Sequence, residues 1–212
     1  MNCSQCQGIE SLFSEEFVAK ELRRYRQRGP ERTTSILIEA LKEAGVRGLT
    51  LLDIGGGLGA IQHEMIAAGV ETASDVEASA AYLAAARDES QRRGFGDQVT
   101  YHHGNFVELA KQLSPADIVT LDRVICCYPE MDKMVGLSAS LAERFLGLVY
   151  PRDTWWMKIV TTIENSIFRL QHNPYRAYLH ATKAVQAVIA DHGFKPRFLR
   201  RTLVWQVVLF TR

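Results

Sequence analysis

Two spacings of apolar residues alternate along the chain, one typical of buried strands and the other typical of amphipathic helices. Short apolar runs that end at glycine, proline or charged residues are predicted as strands. The predicted strands span residues 49–54, 70–76, 98–102, 117–121, 145–149, 194–201 and 203–211. Helical spacing predicts helices at residues 11–28, 33–44, 60–68, 79–93, 106–113, 131–143, 155–170 and 182–192.

The order of these elements predicts an α/β fold. Strands and helices alternate from residue 49 to 149, which favours parallel strands joined by right-handed crossovers. The last two strands, 194–201 and 203–211, have almost no connection between them. They must be antiparallel, because a parallel return needs about a dozen residues. We divide the chain into a helical cap, residues 1–45, and one globular unit, residues 46–212.

A glycine-rich turn in the segment LLDIGGGLG, residues 51–59, is the strongest functional signal. Gly55, Gly57 and Gly59 let the backbone turn sharply and let a ligand approach the main chain closely. The helix that follows would direct its free N–H groups at that ligand. Asp53, two residues before the first glycine, completes the pattern D-x-G-x-G-x-G. The same glycines also satisfy the G-x-G-x-x-A pattern of dinucleotide-binding proteins.

With this acid and these alternate glycines, the chain resembles the class I S-adenosylmethionine-dependent methyltransferases, chiefly from residue 49 to 149. The turn and the helical N-terminal extension are nearest to the magnesium-protoporphyrin O-methyltransferase-like branch. The resemblance implies a Rossmann-like, mostly parallel seven-stranded sheet of order 3-2-1-4-5-7-6, with helices on both faces. It also implies S-adenosyl-L-methionine as cofactor, S-adenosyl-L-homocysteine as product, and methyl transfer to a small molecule. A nicotinamide-dependent oxidoreductase and a catalytically silent nucleoside-binding module are the alternatives.

The resemblance assigns cofactor contacts to individual residues. Asp53 would orient the methionine part of the cofactor, and an acid at the end of the second strand would bind the ribose hydroxyls. Glu77 is favoured over Asp75 for the ribose because it lies where that strand should end. Asn105 and the Phe106 N–H would contact the adenine, and a plain helix N-cap is the alternative for Asn105. The predicted cofactor-binding residues are Asp53, Gly55, Gly56, Gly57, Gly59, Glu77, Asn105, Phe106 and Asp122.

The segment after the fourth strand, residues 122–129, should face the transferred methyl group, because ligands bind at the carboxyl ends of parallel strands. Asp122 and Tyr128 are the candidate catalytic residues, with simple packing as the alternative for Tyr128. The segment lacks the N-P-P-Y-like motif of enzymes that methylate amino groups of nucleic acid or glutamine. The apolar stripe of helix 155–170 is predicted to pack on the core, and part of it to contact a largely apolar acceptor.

Charge and hydropathy exclude several classes of protein. The net charge of +1 gives no bulk attraction to nucleic acid or to an anionic membrane. No apolar run approaches the roughly 18 residues of a membrane-spanning helix. The polar N-terminus predicts no secretory signal. We therefore expect a small-molecule substrate, no nucleic-acid partner and no membrane span, while the oligomeric state stays open.

The four cysteines predict a reducing, cytoplasmic location rather than a disulfide framework, because Cys126 and Cys127 are adjacent. Cys3 and Cys6 have a spacing found in zinc sites, but no second spaced pair of ligands accompanies them. No metal is therefore predicted. Thiolate chemistry of the kind that arsenite methyltransferases use on a related fold is the alternative.

Overall fold

The computed structural model describes residues 4–212, apart from the side chains of Ser4 and Cys6. Its strands are β1 Thr50–Ile54, β2 Thr72–Glu77, β3 Val99–His103, β4 Ala116–Asp122, β5 Ala142–Pro151, β6 Lys195–Arg201 and β7 Trp205–Thr211. They form one sheet of order β3-β2-β1-β4-β5-β7-β6. The first five strands are parallel, and β7 is antiparallel to both of its neighbours. The predicted fold class is confirmed.

Helices connect the strands and precede them. They are α1 Ser4–Leu12, α2 Glu15–Arg28, α3 Arg32–Ala44, α4 Ala60–Ala67, α5 Ala80–Arg93, α6 Phe106–Leu109, α7 Met131–Leu141, α8 Trp155–Leu170 and α9 Thr182–Asp191. The single helix predicted at 11–28 is wrong, since two helices meet there. Ser14 begins a new helix because its side chain accepts a hydrogen bond from the Phe17 N–H. The helix predicted at 106–113 is the short α6 followed by a 3₁₀ turn at 110–112.

Two apolar layers hold the sheet between them, because side chains alternate along each strand. On one face, α7 and α9 pack against Leu52, Val119 and Leu146. On the other face, α3 and α4 cover Leu51 and Ile118. The side chains of α3 are fully buried at its centre, and α3 lies against β5 and β7. In its packing, α3 therefore belongs with the sheet. The predicted division of the chain into a helical cap and a globular unit at residue 45 stays a prediction.

A buried carboxylate fastens α2 to the body of the protein. The Glu89 side chain on α5 is completely buried, and Arg26 of α2 donates a hydrogen bond to it at 2.9 Å. Arg92 and Arg93, one turn further along α5, donate at 2.8 and 2.9 Å. The hydrogen bonds from Arg92, Arg93 and Arg26 hold the pKa of the Glu89 carboxyl well below its usual range. Burial opposes this shift but does not reverse it.

A neutral hydrogen-bonded chain lies beside this cluster. The Tyr25 hydroxyl of α2 is 3.2 Å from His63 Nδ1 on α4, and His63 Nε2 is 2.8 Å from Ser90 Oγ on α5. Burial lowers the pKa of His63 to about 4, so the ring is neutral at pH 7 and one nitrogen accepts while the other donates. Three helices are thereby held in one arrangement.

We expect the substitution Glu89→Gln to lower the free energy of unfolding at pH 7 by about 1–3 kcal/mol, because three arginines lose their charged hydrogen-bond acceptor. The folded pKa of Glu89 is depressed, so its stabilisation is complete above the unfolded pKa and is lost as the pH falls toward the folded value. The difference between the two proteins should therefore shrink on acidification. Urea unfolding at neutral and acidic pH measures it.

The matched control is Glu39→Gln, whose side chain is 68% exposed and 3.7 Å from Lys42. An exposed pair of this kind contributes little, so the control should change the unfolding free energy by less than about 0.5 kcal/mol. Equal effects of the two substitutions would contradict a structural role for the buried cluster.

Candidate functional site

A cavity of about 470 Å³ lies at the carboxyl edge of β1, β2 and β4. This is an ordinary size for a small-molecule site and the expected place for one in an open α/β sheet. Residues of α1 and α2 form its outer wall. The predicted site residues that line it are Asp53, Gly55, Gly56, Gly57, Glu77, Asn105, Phe106, Asp122 and Tyr128. Gly59 is not part of that lining as far as the described residues go, and its role as a cofactor contact stays a prediction.

The glycine turn combines close packing with an open face. A Cβ added to Gly56 would lie 2.3 Å from Gln62 Nε2 and 2.5 Å from Asp75 Oδ1, so no side chain fits there. Gly57 has a φ of +58°, and an added Cβ would meet no described atom within 4 Å. The turn therefore packs tightly against the protein on one side and leaves space in the cavity on the other.

Glu77 ties the end of β2 to this turn. Its Oε1 accepts a hydrogen bond from the Ser79 N–H at 2.8 Å, and its Oε2 accepts one from the Gly57 N–H at 3.0 Å. Burial raises the pKa of Glu77, although these N–H groups oppose the shift. Each oxygen keeps a second lone pair for a ligand hydroxyl.

Asp75, the competing acid, lies behind the turn rather than in the cavity lining. Its side chain is fully buried against Gly56 and Gln62, which both act to lower its pKa. Burial and the neighbouring Asp53 raise its pKa well above the usual range. The structure thus places Glu77 against the cavity and Asp75 beneath Gly56.

Asp53 stands beside Asp75 and Thr120 in the register of the sheet. Thr120 Oγ1 donates to Asp53 Oδ1 at 2.6 Å, and Gln62 Nε2 donates to Oδ2 at 3.2 Å. Burial raises the pKa of Asp53 to about 7, against the opposing effect of these two hydrogen bonds. Gln62 Oε1 has no hydrogen-bond partner among residues 4–212. Gln62 and Thr120 were not predicted from the sequence. The only signal for Gln62 is that it is a polar residue next to apolar ones just after the turn.

Asp122 ends β4 at the other side of the cavity. Thr34 Oγ1 donates a short hydrogen bond to its Oδ2, whereas its buried Oδ1 has no hydrogen bond from any described residue. Burial raises the pKa of Asp122, and the nearby Arg123 guanidinium opposes the shift. Arg123 lies 5.2 Å from the ring of Trp205 and donates to Thr33 Oγ1 at 2.7 Å. Its φ of +63° is unusual for arginine.

Two thiols line the cavity close to Asp122. Cys127 Sγ is 3.0 Å from the Tyr175 hydroxyl and 4.0 Å from Cys126 Sγ. Both cysteines are free. In the described part of the chain, no group of three or more His, Cys, Asp or Glu side chains could hold a metal ion. Cys3 and the side chain of Cys6 lie outside the described residues, so what was predicted for them stays a prediction.

Helix α8 spans the predicted residues, but the predicted burial of its apolar stripe is wrong. Met157 is its buried residue, and the opposite face is exposed. The Asn165 side chain bonds to both backbone groups of Ala177, and Phe168 packs on Tyr175, so this face is turned toward the protein. None of α8 lines the cavity in the described residues, although Tyr175, which follows it, does. The stripe is therefore not the predicted acceptor contact.

Asn105 caps α6, as the alternative interpretation expected. Its Oδ1 accepts from the Val107 N–H at 3.1 Å, and its Nδ2 donates to Glu108 at 3.3 Å. It is nevertheless part of the cavity lining, beside Phe106. Contact of these two residues with adenine stays a prediction.

No protein-family model matches the chain, and no curated protein matches it. Among solved structures, it is similar to magnesium protoporphyrin IX methyltransferase (ChlM) from Synechocystis PCC 6803 with bound SAH. The two are 24% identical over 92% of this chain and 87% of that chain, with a TM-score of 0.68. An O-methyltransferase family protein from Burkholderia thailandensis is 19% identical over 92% of this chain and 58% of its own, also with a TM-score of 0.68.

The [4+2]-cyclase SpnF is a third similar structure, 12% identical over 85% of this chain and 80% of its own, with a TM-score of 0.65. These similarities show that the chain has the fold that the resemblance implied. The same fold therefore occurs in proteins named for methyl transfer and in one named for a cyclisation, so the reaction must be argued from the site.

We expect Asp53→Asn to stabilise the protein without ligand at pH 8 by about 1–3 kcal/mol, because the ionised carboxyl is buried beside Asp75. An amide at this position could donate to Gln62 Oε1 once the Gln62 amide rotates. The folded pKa of Asp53 is raised, so its favourable contribution exists below the unfolded pKa and is lost as the pH rises through about 7. The gain from Asn should accordingly be small at pH 5.

Thermal unfolding at the two pH values measures this difference. Asp88→Asn, an exposed position on α5, is the control and should change stability by less than about 0.5 kcal/mol. Destabilisation by Asp53→Asn at pH 8 would contradict this expectation, because it would show that the ionised Asp53 carboxylate stabilises the folded protein.

Proposed function

We propose that the protein is an S-adenosylmethionine-dependent methyltransferase that acts on a small, largely apolar molecule. The observation that carries this proposal is the convergence of the glycine turn, Glu77 and the buried Asp53 on one cavity at the carboxyl edge of the sheet. The similarity to structures named as methyltransferases, one of them with bound SAH, supports it.

The residues present fit this cofactor. Glu77 has free lone pairs for two ribose hydroxyls, and the open face of Gly57 leaves room for the chain that joins ribose to methionine. Asp53 would hold the ammonium group, while Asn105 and Phe106 would contact the adenine. Three acids at this edge, Asp53, Glu77 and Asp122, line the cavity, and they favour a ligand with positive charge, such as a sulfonium that also carries an ammonium group.

When bound, the cofactor supplies an activated methyl group, which an acceptor atom attacks in line with the departing sulfur. The protein's contribution is to align the two molecules and to exclude water. Asp122 is proposed to accept a proton where the acceptor carries one, because burial raises its pKa and its Oδ1 has no hydrogen bond from a described residue. Arg123 Nε lies 3.6 Å from the same oxygen and would stabilise the carboxylate before it accepts the proton. Tyr128, which lines the same wall, is the second candidate.

An apolar acceptor is proposed from the side chains around this space. They come from α1, α2 and the turn between them, from the segment after β4, from α7 and from the start of β7, and they are Ile9, Phe13, Phe17, Val124, Met134 and Trp205. Such a lining binds apolar molecules, and a few polar groups fix the orientation of the bound molecule. We propose α1 and α2 as the cap over this space. The free thiols at 126 and 127 support the proposed cytoplasmic location.

We expect the protein to bind S-adenosylmethionine with a dissociation constant in the micromolar range, about −8 kcal/mol, and not to bind NADH. Gly57→Ala should weaken binding about tenfold or more, because its Cβ would occupy the open face of the turn. Isothermal titration calorimetry measures both affinities.

The matched control is Gly94→Ala. Gly94 also has a positive φ, of +79°, and an added Cβ would likewise meet no described atom within 4 Å, but it closes α5 away from the cavity lining. Both substitutions carry a similar backbone strain, so loss of binding in both would point to strain rather than to the site. Tight binding of NADH would overturn the proposal in favour of an oxidoreductase.

Methyl transfer itself is tested with S-adenosylmethionine labelled in its methyl group. Incubation with a panel of small aromatic and aliphatic acids, phenols and amines should move label into an organic-extractable product, and incubation with RNA or DNA should not. Asp122→Asn should slow transfer to the accepted compound while changing cofactor affinity less. Cofactor binding with no transfer to any compound would favour the silent nucleoside-binding module.

A further inference from the structure

One face of α8 exposes six large apolar side chains in a single stripe. Their exposed fractions range from 46% for Val160 to 79% for Leu170. The helix is 16 residues long, about 24 Å, and its other face packs on the protein through Met157, Asn165 and Phe168. The stripe consists of Trp155, Ile159, Val160, Ile163, Ile167 and Leu170.

A strongly basic strand, β6, ends near the start of α8. Strand β6 reads KPRFLRR, is the outermost strand on its side, and exposes Arg197, Arg200 and Arg201. No ion pair joins these arginines to an acid among the residues that the structure describes. Since β6 runs parallel to β5, its last residues lie at the carboxyl edge of the sheet.

The apolar helix and the basic strand meet at one corner. Arg152, just before α8, donates from its backbone to Val204 at 2.8 Å and from its side chain to the Thr202 carbonyl at 3.0 Å. The turn between β6 and β7 therefore lies against the start of α8. Leu203 at this turn is 75% exposed, and Trp155 at the start of α8 is 74% exposed.

We propose that α8 and this corner form a docking surface for an anionic lipid bilayer, with α8 lying in the plane of the membrane interface. A helix with a broad apolar face, a tryptophan and neighbouring cations binds such an interface. None of the described helices is long and apolar enough to cross the bilayer, so the contact is peripheral.

Charge distinguishes a lipid surface from the other possible occupants. A second copy carries the same net charge of +1, so it would cover the apolar stripe without bringing an excess of negative charge to the arginines. Nucleic acid would satisfy the arginines but not the six apolar side chains. An anionic bilayer satisfies both, because its hydrocarbon boundary accepts the apolar side chains and its lipid headgroups attract the arginines.

The test is flotation of the full chain with vesicles of phosphatidylcholine, alone or mixed with an equal part of phosphatidylglycerol. The protein should float with the mixed vesicles and much less with phosphatidylcholine alone. The double substitutions Ile159→Ser with Ile163→Ser, and Arg200→Ser with Arg201→Ser, should each reduce the bound fraction about tenfold or more. All four positions are at the surface, and thermal unfolding verifies that the variants fold.

The matched charge control is Lys111→Ser with Arg144→Ser, which removes two exposed cations away from this corner and should leave vesicle binding unchanged. Equal losses in this control and in the Arg200 and Arg201 variant would overturn the proposal. Light scattering tests whether a second copy of the chain occupies this surface instead of a bilayer. A dimer that the two isoleucine substitutions dissociate, with no vesicle binding by the intact protein, would also overturn it.

Discussion

Buried carboxyl groups at the ends of three neighbouring strands are the constraint on which the site depends. Asp53 on β1, Asp75 and Glu77 on β2 and Asp122 on β4 all have raised pKa values, and burial is the first cause in each. Removing these acids from water costs stability that the two apolar layers must offset. A cationic ligand that binds only the folded protein would compensate this loss of stability.

The alternation of elements could be predicted because its signals are local. Each strand is a short apolar run followed by a breaker, and the predicted boundaries lie within a few residues of the observed ones, as for α8 and β1. The glycine turn could also be predicted, because only a few sequences allow a backbone at a φ of +58° beside a cavity. The place of Glu77 at the end of β2 followed from the same local spacing.

Partners that tertiary packing brings together could not be predicted in this way. Thr120 and Gln62 bind Asp53 from another strand and from the following helix, and Thr34 reaches Asp122 from a helix far back in the chain. The stripe of α8 shows a second reason. Periodicity identifies an apolar face, but it does not tell whether that face turns toward the core or toward the outside. The packing of Phe168 on Tyr175 decides it here.

The closeness of α1 to the segment after α8 has a consequence for how molecules exchange with the cavity. A Cβ on Gly8 would lie 2.4 Å from the backbone nitrogen of Tyr175, so the two segments touch with no side chain between them. The Gln5 side chain also donates to the carbonyls of Cys127 and Arg176. Opening the cavity along α1 therefore requires this backbone contact and these hydrogen bonds to break, which would slow the exchange of any molecule bound there.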